Sequence, residues 1–325
     1  MRRRIPRAGC AAHLPPRLHG CSLTLHALWQ DLTAACWLPT AGLRDHTHGD
    51  GRLALGASDG LVSILSLASA SITALLRGHT AAVTDLASVA SRPALLASCS
   101  KDGSARVWDA RAAACLAVAP LAGVASLAFS PDGRTLFAGA TEGRVVFWGV
   151  ADPLAAASDG AATPPPWPAP RRFPSPTPPP HGAAVDSVLP LPGGRLATKS
   201  SEGRVAVWDV SASDAPPRLV SAWRVPGHSA GDRSARLGAS HDGSLILCGG
   251  PPGELHVYDA ADGKRLVTLA GGKVKSPMLA CAMAGDGKWA MAASGGGLVL
   301  RWETIAVEKA FVPPNAADWG EAPEG

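Results

Sequence analysis

The apolar and polar positions of this chain repeat one pattern six times. An alternating stretch is followed by a polar turn, a compact apolar run, a glycine-centred turn and a second alternating run ending in a large side chain. The last run is the clearest. A glycine stands five residues before a bulky residue at Gly60/Leu65, Gly103/Trp108, Gly143/Trp148, Gly203/Trp208, Gly253/Tyr258 and Gly297/Trp302. Alternation of period two predicts strands, and the glycine supplies the backbone freedom of a tight turn between strands. Taking the last run as strand c, the apolar runs at 52–58, 94–100, 135–140, 195–200, 245–250 and 289–294 predict strand b. The stretches at 32–38, 83–89, 124–130, 185–191, 235–240 and 279–285 predict strand a. Polar turns such as Pro131-Asp132-Gly133 and Asp242-Gly243 separate a from b.

The large residues closing strand c are 43, 40, 60, 50 and 44 residues apart. Residues 78–109 carry the unit most fully, from Gly78-His79 through Lys101-Asp102-Gly103 to Trp108-Asp109. This stretch resembles one WD40 repeat, the four-stranded blade of a β-propeller, whose period is ~40–45 residues. The resemblance implies an all-β WD40 propeller of the seven-bladed type, with six complete repeats visible and the first blade truncated. It also implies that His79, Ser98, Asp102 and Trp108 form a hydrogen-bonded chain inside their blade. Trp148, His181, Trp208, His228 and Trp302 are expected to be structural in the same sense. The segment 23–29 is read as the outer strand of a preceding, incomplete blade, and 306–312 as the strand after the last anchor. The chain either closes with six blades or lacks the first strands of seven, and its Arg/Pro-rich start favours the second.

Composition adds boundaries. Residues 1–20 are expected to form a basic tail without regular structure, 21–312 the propeller and 313–325 a second tail. The stretch 152–180 is proline-rich; proline donates no ladder bond, so most of it is read as a loop between strands c and d, with 172–176 as an edge strand. Five arginines lie in the first 30 residues, which hold no acid; the remainder carries 25 basic and 26 acidic side chains. That balance argues against a basic nucleic-acid-binding body. No apolar run reaches the ~18 residues of a membrane span. Seven cysteines without a CxxC pair indicate neither a disulfide framework nor a zinc module.

Chemistry is sparse. Phosphate-binding GxxxxGK[ST] and HExxH motifs are absent, so no catalytic activity, cofactor or metal is expected. His46, His48, Asp45 and Asp50 sit in a polar a–b turn and are read as solvated.

A narrower resemblance rests on the later repeats. His181-Gly-Ala-Ala-Val-Asp186-Ser-Val, then Leu196-Ala-Thr-Lys199-Ser200-Ser-Glu202, and the closing Leu300-Arg301-Trp302-Glu303 resemble the extra-sex-combs/embryonic-ectoderm-development family. Ser100-Lys101-Asp102 with Ala105-Arg106-Val107-Trp108 fits an earlier repeat of that family, as does the order of insertions. Those proteins are the WD40 subunits of Polycomb repressive complex 2; the origin-recognition-associated leucine-rich-repeat/WD protein resembles the same family. The resemblance implies a non-catalytic nuclear scaffold, monomeric within a complex, with a histone methyltransferase subunit and histone H3 as protein partners. The family holds trimethyl-lysine in an aromatic cage. Here the matching positions are Thr33, Arg233 and Ser234, so the cage is expected to be degenerate unless Trp29, Trp167 or Trp223 rebuilds it. Lys101, Arg233 and Arg236 are the candidate partner-binding residues of the top face. The competing reading is a substrate receptor of a cullin ubiquitin ligase, with Trp108-Asp109-Ala110-Arg111 matching a WDxR docking pattern; a cytoplasmic location would go with it.

Overall fold

The computed structural model describes residues 32–39, 51–150, 167, 170–174, 180–211, 215–228, 235–251, 253–270, 272 and 274–303. These residues form six antiparallel sheets, each a meander in chain order. Blade one holds β1 (Leu32–Leu38), β2 (Arg52–Ala57), β3 (Val62–Ser66) and β4 (Ser71–Leu76). Blade two holds β5 (Val83–Ser88), β6 (Leu95–Ser100), β7 (Ser104–Asp109) and β8 (Ala114–Pro120). Blade three holds β9 (Val124–Phe129), β10 (Thr135–Ala140), β11 (Val145–Gly149) and β12 (Arg171–Arg172). Blade four holds β13 (Val185–Leu191), β14 (Arg195–Ser200), β15 (Arg204–Asp209) and β16 (Arg218–Arg224). Blade five holds β17 (Leu237–Ala239), β18 (Leu245–Gly250), β19 (Glu254–Asp259) and β20 (Arg265–Ala270). Blade six holds β21 (Met278–Met283), β22 (Trp289–Ser294) and β23 (Val299–Glu303).

The inner strands pack side by side in the order β1, β5, β9, β13, β17, β21. Alternation places one face of each sheet on each neighbour, and the core is a series of apolar layers between successive blades. Ile64, Leu76, Leu86, Leu96 and Trp108 fill the layer between blades one and two, and Phe137, Phe173, Val185, Leu196 and Trp208 the one between blades three and four. The glycines between strands b and c adopt positive φ, Gly60 among them at 88°. A β-carbon on Gly60 would stand 2.6 Å from the His79 carbonyl oxygen, so only glycine lets the b–c turn nest under the next blade's loop.

Six sheets, not seven, are present among the described residues. The incomplete blade expected at 23–29, the strand expected at 306–312, the tails 1–20 and 313–325 and most of 152–180 lie outside them. Two expected strands are shorter than the pattern suggested. The edge strand of blade three ends at Arg172: the Phe173 N–H still reaches Val145 O at 3.0 Å, but Pro174 has no N–H to continue. Strand a of blade five starts at Leu237, because the Arg236 N–H is given to Leu279 O of blade six, 2.8 Å away.

The seam between blades six and one differs from the other five. Among the described residues β21 and β1 do not pack on each other as the other inner strands do. Met291 and Val299, on the face of blade six turned away from blade five, are exposed, as are Trp37, Ile72 and Leu75 of blade one.

Candidate functional site

One bulge recurs at the start of the inner strands and builds the hub. The registers slip at Leu32/Ala34, Val83/Asp85 and Val185/Ser187, leaving Thr33, Thr84 and Asp186 without a cross-strand partner. A bulged residue is re-aimed out of the pleat. Thr33 Oγ1 donates to Val83 O at 2.5 Å and Thr84 Oγ1 to Val124 O at 3.2 Å, each on the next blade. Asp85, Ser126 and Ser187 answer the next blade's backbone: Leu127 N–H donates to Asp85 Oδ2 at 2.8 Å, Val188 N–H to Ser126 Oγ at 3.0 Å and Leu237 N–H to Ser187 Oγ at 3.0 Å.

Two ion pairs complete the hub. Lys199 Nζ donates to both Asp186 oxygens at 2.9 Å and to Ser200 O at 3.3 Å, so its three N–H groups are all engaged. Both side chains are buried. Arg236 Nη1 of blade five donates to Asp85 Oδ2 of blade two at 2.6 Å, across the ring and across 151 residues of sequence. Burial would lower the Arg236 pKa; the Asp85 carboxylate outweighs it and holds the guanidinium cationic. Asp85 was not singled out from the sequence, and Asp186 and Lys199 were named there for the family resemblance and not as a pair. A signal was present: a lysine within the strand-b run 195–200 requires a counter-charge if it is buried.

The histidines occupy loops that enter strand a. His79 is buried, with Nδ1 2.8 Å from Asp102 Oδ2 and Nε2 2.7 Å from Ser98 Oγ, and Trp108 Nε1 donates to Ser98 Oγ at 2.8 Å. Burial lowers the His79 pKa. Burial acts to raise Asp102, but hydrogen bonds from Ser104, His79 and the Thr80 N–H outweigh it and hold the carboxyl at about 2. Blade four has a shorter chain: His181 Nε2 lies 2.8 Å from Thr198 Oγ1, to which Trp208 Nε1 donates at 2.9 Å. Glu202 stands where Asp102 stands in blade two, and its carboxylate pairs loosely with Arg204 at 3.9 Å. Among the described residues, His181 Nδ1 has no hydrogen-bond partner. Blade three has alanine, Ala138, where blade two has Ser98; among the described residues Trp148 Nε1 has no hydrogen-bond partner, and Trp148 stacks on Trp167 at 5.6 Å. His228 packs against the b–c turn of blade four at Gly203, and Trp302 is half-buried in the layer between blades five and six.

Of the top-face candidates, Lys101 is exposed in the b–c turn of blade two, Arg236 is committed to Asp85, and Arg233 lies outside the described residues with Ser234. Thr33 spends its hydroxyl on backbone oxygens. Trp223 is half-buried against Tyr258, ring centroids 5.5 Å apart, and Trp167 against Trp148. Trp29, His46 and His48 lie outside the described residues.

His181 makes stability depend on pH. Burial, then the charges of Arg204 and Lys199, bring its pKa down from 6.5 to about 4. The unfolded chain therefore takes up a proton below pH 6.5 that the folded chain refuses until about pH 4. Stability should fall across that window by ~3 kcal/mol from this residue alone and level off about one pH unit below it. Urea unfolding at pH 7, 5.5 and 4.5 checks this: His181→Gln should flatten the slope, and an unchanged slope would remove His181 as its source.

Comparisons with known proteins agree with this geometry. The model of the WD domain, G-beta repeat, matches residues 70–109 and 114–149, blade two and the first three strands of blade three with their approaches. The chain is 22% identical over 282 residues to the Polycomb group protein FIE2 of Zea mays, covering 81% of this chain and 73% of that protein. It is 23% identical over 282 residues to FIE1 of Zea mays, 82% of this chain and 60% of the relative. It is 23% identical over 260 residues to Autophagy-related protein 16 of Arabidopsis thaliana, 79% of this chain but 46% of the relative. A chain of the crystal structure of the mitotic checkpoint complex superposes with a TM-score of 0.61 at 20% identity, over 78% of this chain and 71% of that one, which shows the fold alone. The chain is thus an all-β propeller that carries WD40 repeats at residues 70–109 and 114–149 and is similar at low identity to Polycomb group proteins.

Proposed function

We propose that this propeller is a non-catalytic nuclear scaffold of the Polycomb repressive complex 2 type, holding a histone methyltransferase subunit and lacking a working methyl-lysine cage. The observation that carries the reading is the similarity to two Polycomb group proteins along 282 residues. The hub supports the degenerate cage: Thr33 offers a hydroxyl already bonded to the next blade, where a ring is required. Trimethyl-lysine is held by several ring faces, each worth ~0.5–2 kcal/mol. The seven-bladed type belongs to the same proposal, supported by the uncovered apolar surfaces on either side of the blade-six/blade-one seam.

Titrating mono- and trimethylated histone H3 peptides against the purified chain should give no saturable binding at micromolar peptide. Micromolar binding that prefers the trimethylated form would overturn the loss of the cage. Affinity purification from nuclei should return histone methyltransferase subunits. Cullin and its adaptor would instead support a ligase receptor, a reading favoured by one feature: Arg111 is exposed at the turn after β7, where Asp109 Oδ1 accepts the Arg111 and Ala112 N–H groups.

A further inference from the structure

Blade three carries half an outer strand. In blades one, two, four and five the bulky residue that closes strand c faces a residue of strand d: Leu65 pairs with Ile72, Trp108 with Cys115, Trp208 with Leu219 and Tyr258 with Arg265. In blade three the register of β11 with β12 covers Val146 and Phe147, so Trp148 has no outer-strand partner among the described residues. Trp148 is nevertheless 1% exposed. Trp167 lies against it, with ring centroids 5.6 Å apart and the planes inclined by 15°. That spacing and tilt are those of an offset stack.

Trp167 comes from the proline-rich insertion and reaches across to a second blade. Its N–H donates to Val118 O at 3.0 Å, on the free edge of β8, the outer strand of blade two. Leu116, Ala117 and Leu121, in and just after β8, are half-buried and pack, like Trp167, on the layer between blades two and three. The recess thus offers an aromatic wall, an apolar wall and a carbonyl acceptor on a strand edge. It fits one aromatic side chain carried on an extended segment. Pro164, Pro165, Pro166, Pro168 and Pro170 flank Trp167. None of them has an N–H with which to continue a ladder along β8. Among the described residues, one ring stack and one main-chain hydrogen bond hold Trp167 where the other blades have a strand.

We propose that this recess is a docking site for a tryptophan carried between prolines on an extended segment of a partner protein, and that Trp167 fills it in cis until such a segment displaces it. The chain's own occupant defines the ligand chemistry. An indole stacks on Trp148, a main-chain N–H reaches Val118 O, and prolines keep the flanks of a ligand extended at low entropic cost. Tethering sets the balance. Trp167 stands four residues before Arg171 of β12, so its effective concentration at the recess is high. A free segment meets a site that is open for a fraction of the time, and its apparent affinity is reduced by that fraction. The site lies at the outer edge of blades two and three, apart from the hub, and does not rest on the Polycomb reading.

The test uses the full chain and a fluorescein-labelled peptide with the sequence of residues 163–170. Trp167→Ala should bind it saturably and at least about tenfold tighter than the parent chain, since a cis segment seated about nine-tenths of the time weakens a competitor by a factor of about ten. The parent should still bind it saturably at higher peptide concentration. Trp167→Phe should fall between the two, and it carries the test if Trp167→Ala folds poorly. A peptide with alanine in place of the tryptophan should bind none of the three. The location is read from the Trp148 Nε1–H resonance in 15N-resolved spectra. It should move in Trp167→Ala, where the stacked ring is gone, and return toward its parent position when the peptide is added. A parent chain that takes up no peptide at millimolar concentration would make Trp167 a permanent part of blade three and overturn the proposal. So would equal binding by Trp167→Ala and the parent, equal binding of the alanine peptide, or a Trp148 resonance that the peptide fails to restore.

Discussion

Truncating Trp108 to alanine should lower the unfolding free energy by ~3–5 kcal/mol, the range for removing a large buried aromatic. The ring is 1% exposed and fills the layer between blades one and two with Ile64, Leu76, Leu86 and Leu96. Its indole N–H donates to Ser98 Oγ at 2.8 Å, and its edge meets the His79 ring at 6.2 Å. The truncation removes three things together: apolar area, cavity filling and a donor to a hydroxyl that is wholly buried. Trp108→Phe separates them, because it keeps most of the volume and loses the donor; a smaller cost of ~1–3 kcal/mol is expected from the lost donor to Ser98 Oγ, which keeps His79 Nε2 as a partner, and from the residual void. Denaturant unfolding of both variants measures the split. A Trp108→Ala chain that unfolds at the parent's midpoint would mean the ring does not hold the two blades together.

The second large effect is at the hub. Lys199→Met should destabilise the chain by ~3–5 kcal/mol, because it leaves the Asp186 carboxylate buried without its counter-charge. Methionine fills nearly the same space, so the loss reports charge and not packing. The double variant Lys199→Met/Asp186→Leu should recover most of it, since replacing both members of a buried pair by apolar groups is often neutral or stabilising. Unfolding curves of the two single variants and the double one form a thermodynamic cycle. If the double variant is no better than Lys199→Met, the pair is not an isolated charge couple but part of a wider polar network in the hub.

The parts legible in the sequence were those written within one blade. The six alternating c strands, their glycines and the polar a–b turns are local patterns, and they correspond to six sheets. The His79–Asp102–Ser98–Trp108 grouping lies within 30 residues and repeats in part at His181 and Trp208, and the resemblance to a WD40 repeat named its members. What was not legible is whatever joins one blade to another. Asp85 reads as one polar position in an alternating strand; nothing near it in sequence names Leu127 and Arg236 as its partners. The bulges that re-aim Thr33, Thr84 and Asp186 leave no mark in the alternation, because a single unpaired residue shifts the pattern by less than the pattern's own irregularity. Phe173 and Trp167 sit in a proline-rich stretch whose composition suggests a loop. Their packing on Trp208 and Trp148 depends on neighbours supplied by strands far along the chain.

The Arg236–Asp85 pair also bears on the order of assembly. Its two ends are separated by 151 residues, and closing so long a loop carries an entropic cost that a single ion pair cannot offset. The contact is therefore expected to form after blades three and four have stacked and brought its ends within reach, on the native side of the folding barrier, so that Arg236→Met should speed unfolding and leave the folding rate nearly unchanged. Interactions absent from the transition state slow unfolding without speeding folding. In this ring the pair is a latch: it has little part in how quickly the blades find one another, and its weight falls on how long the assembled ring persists.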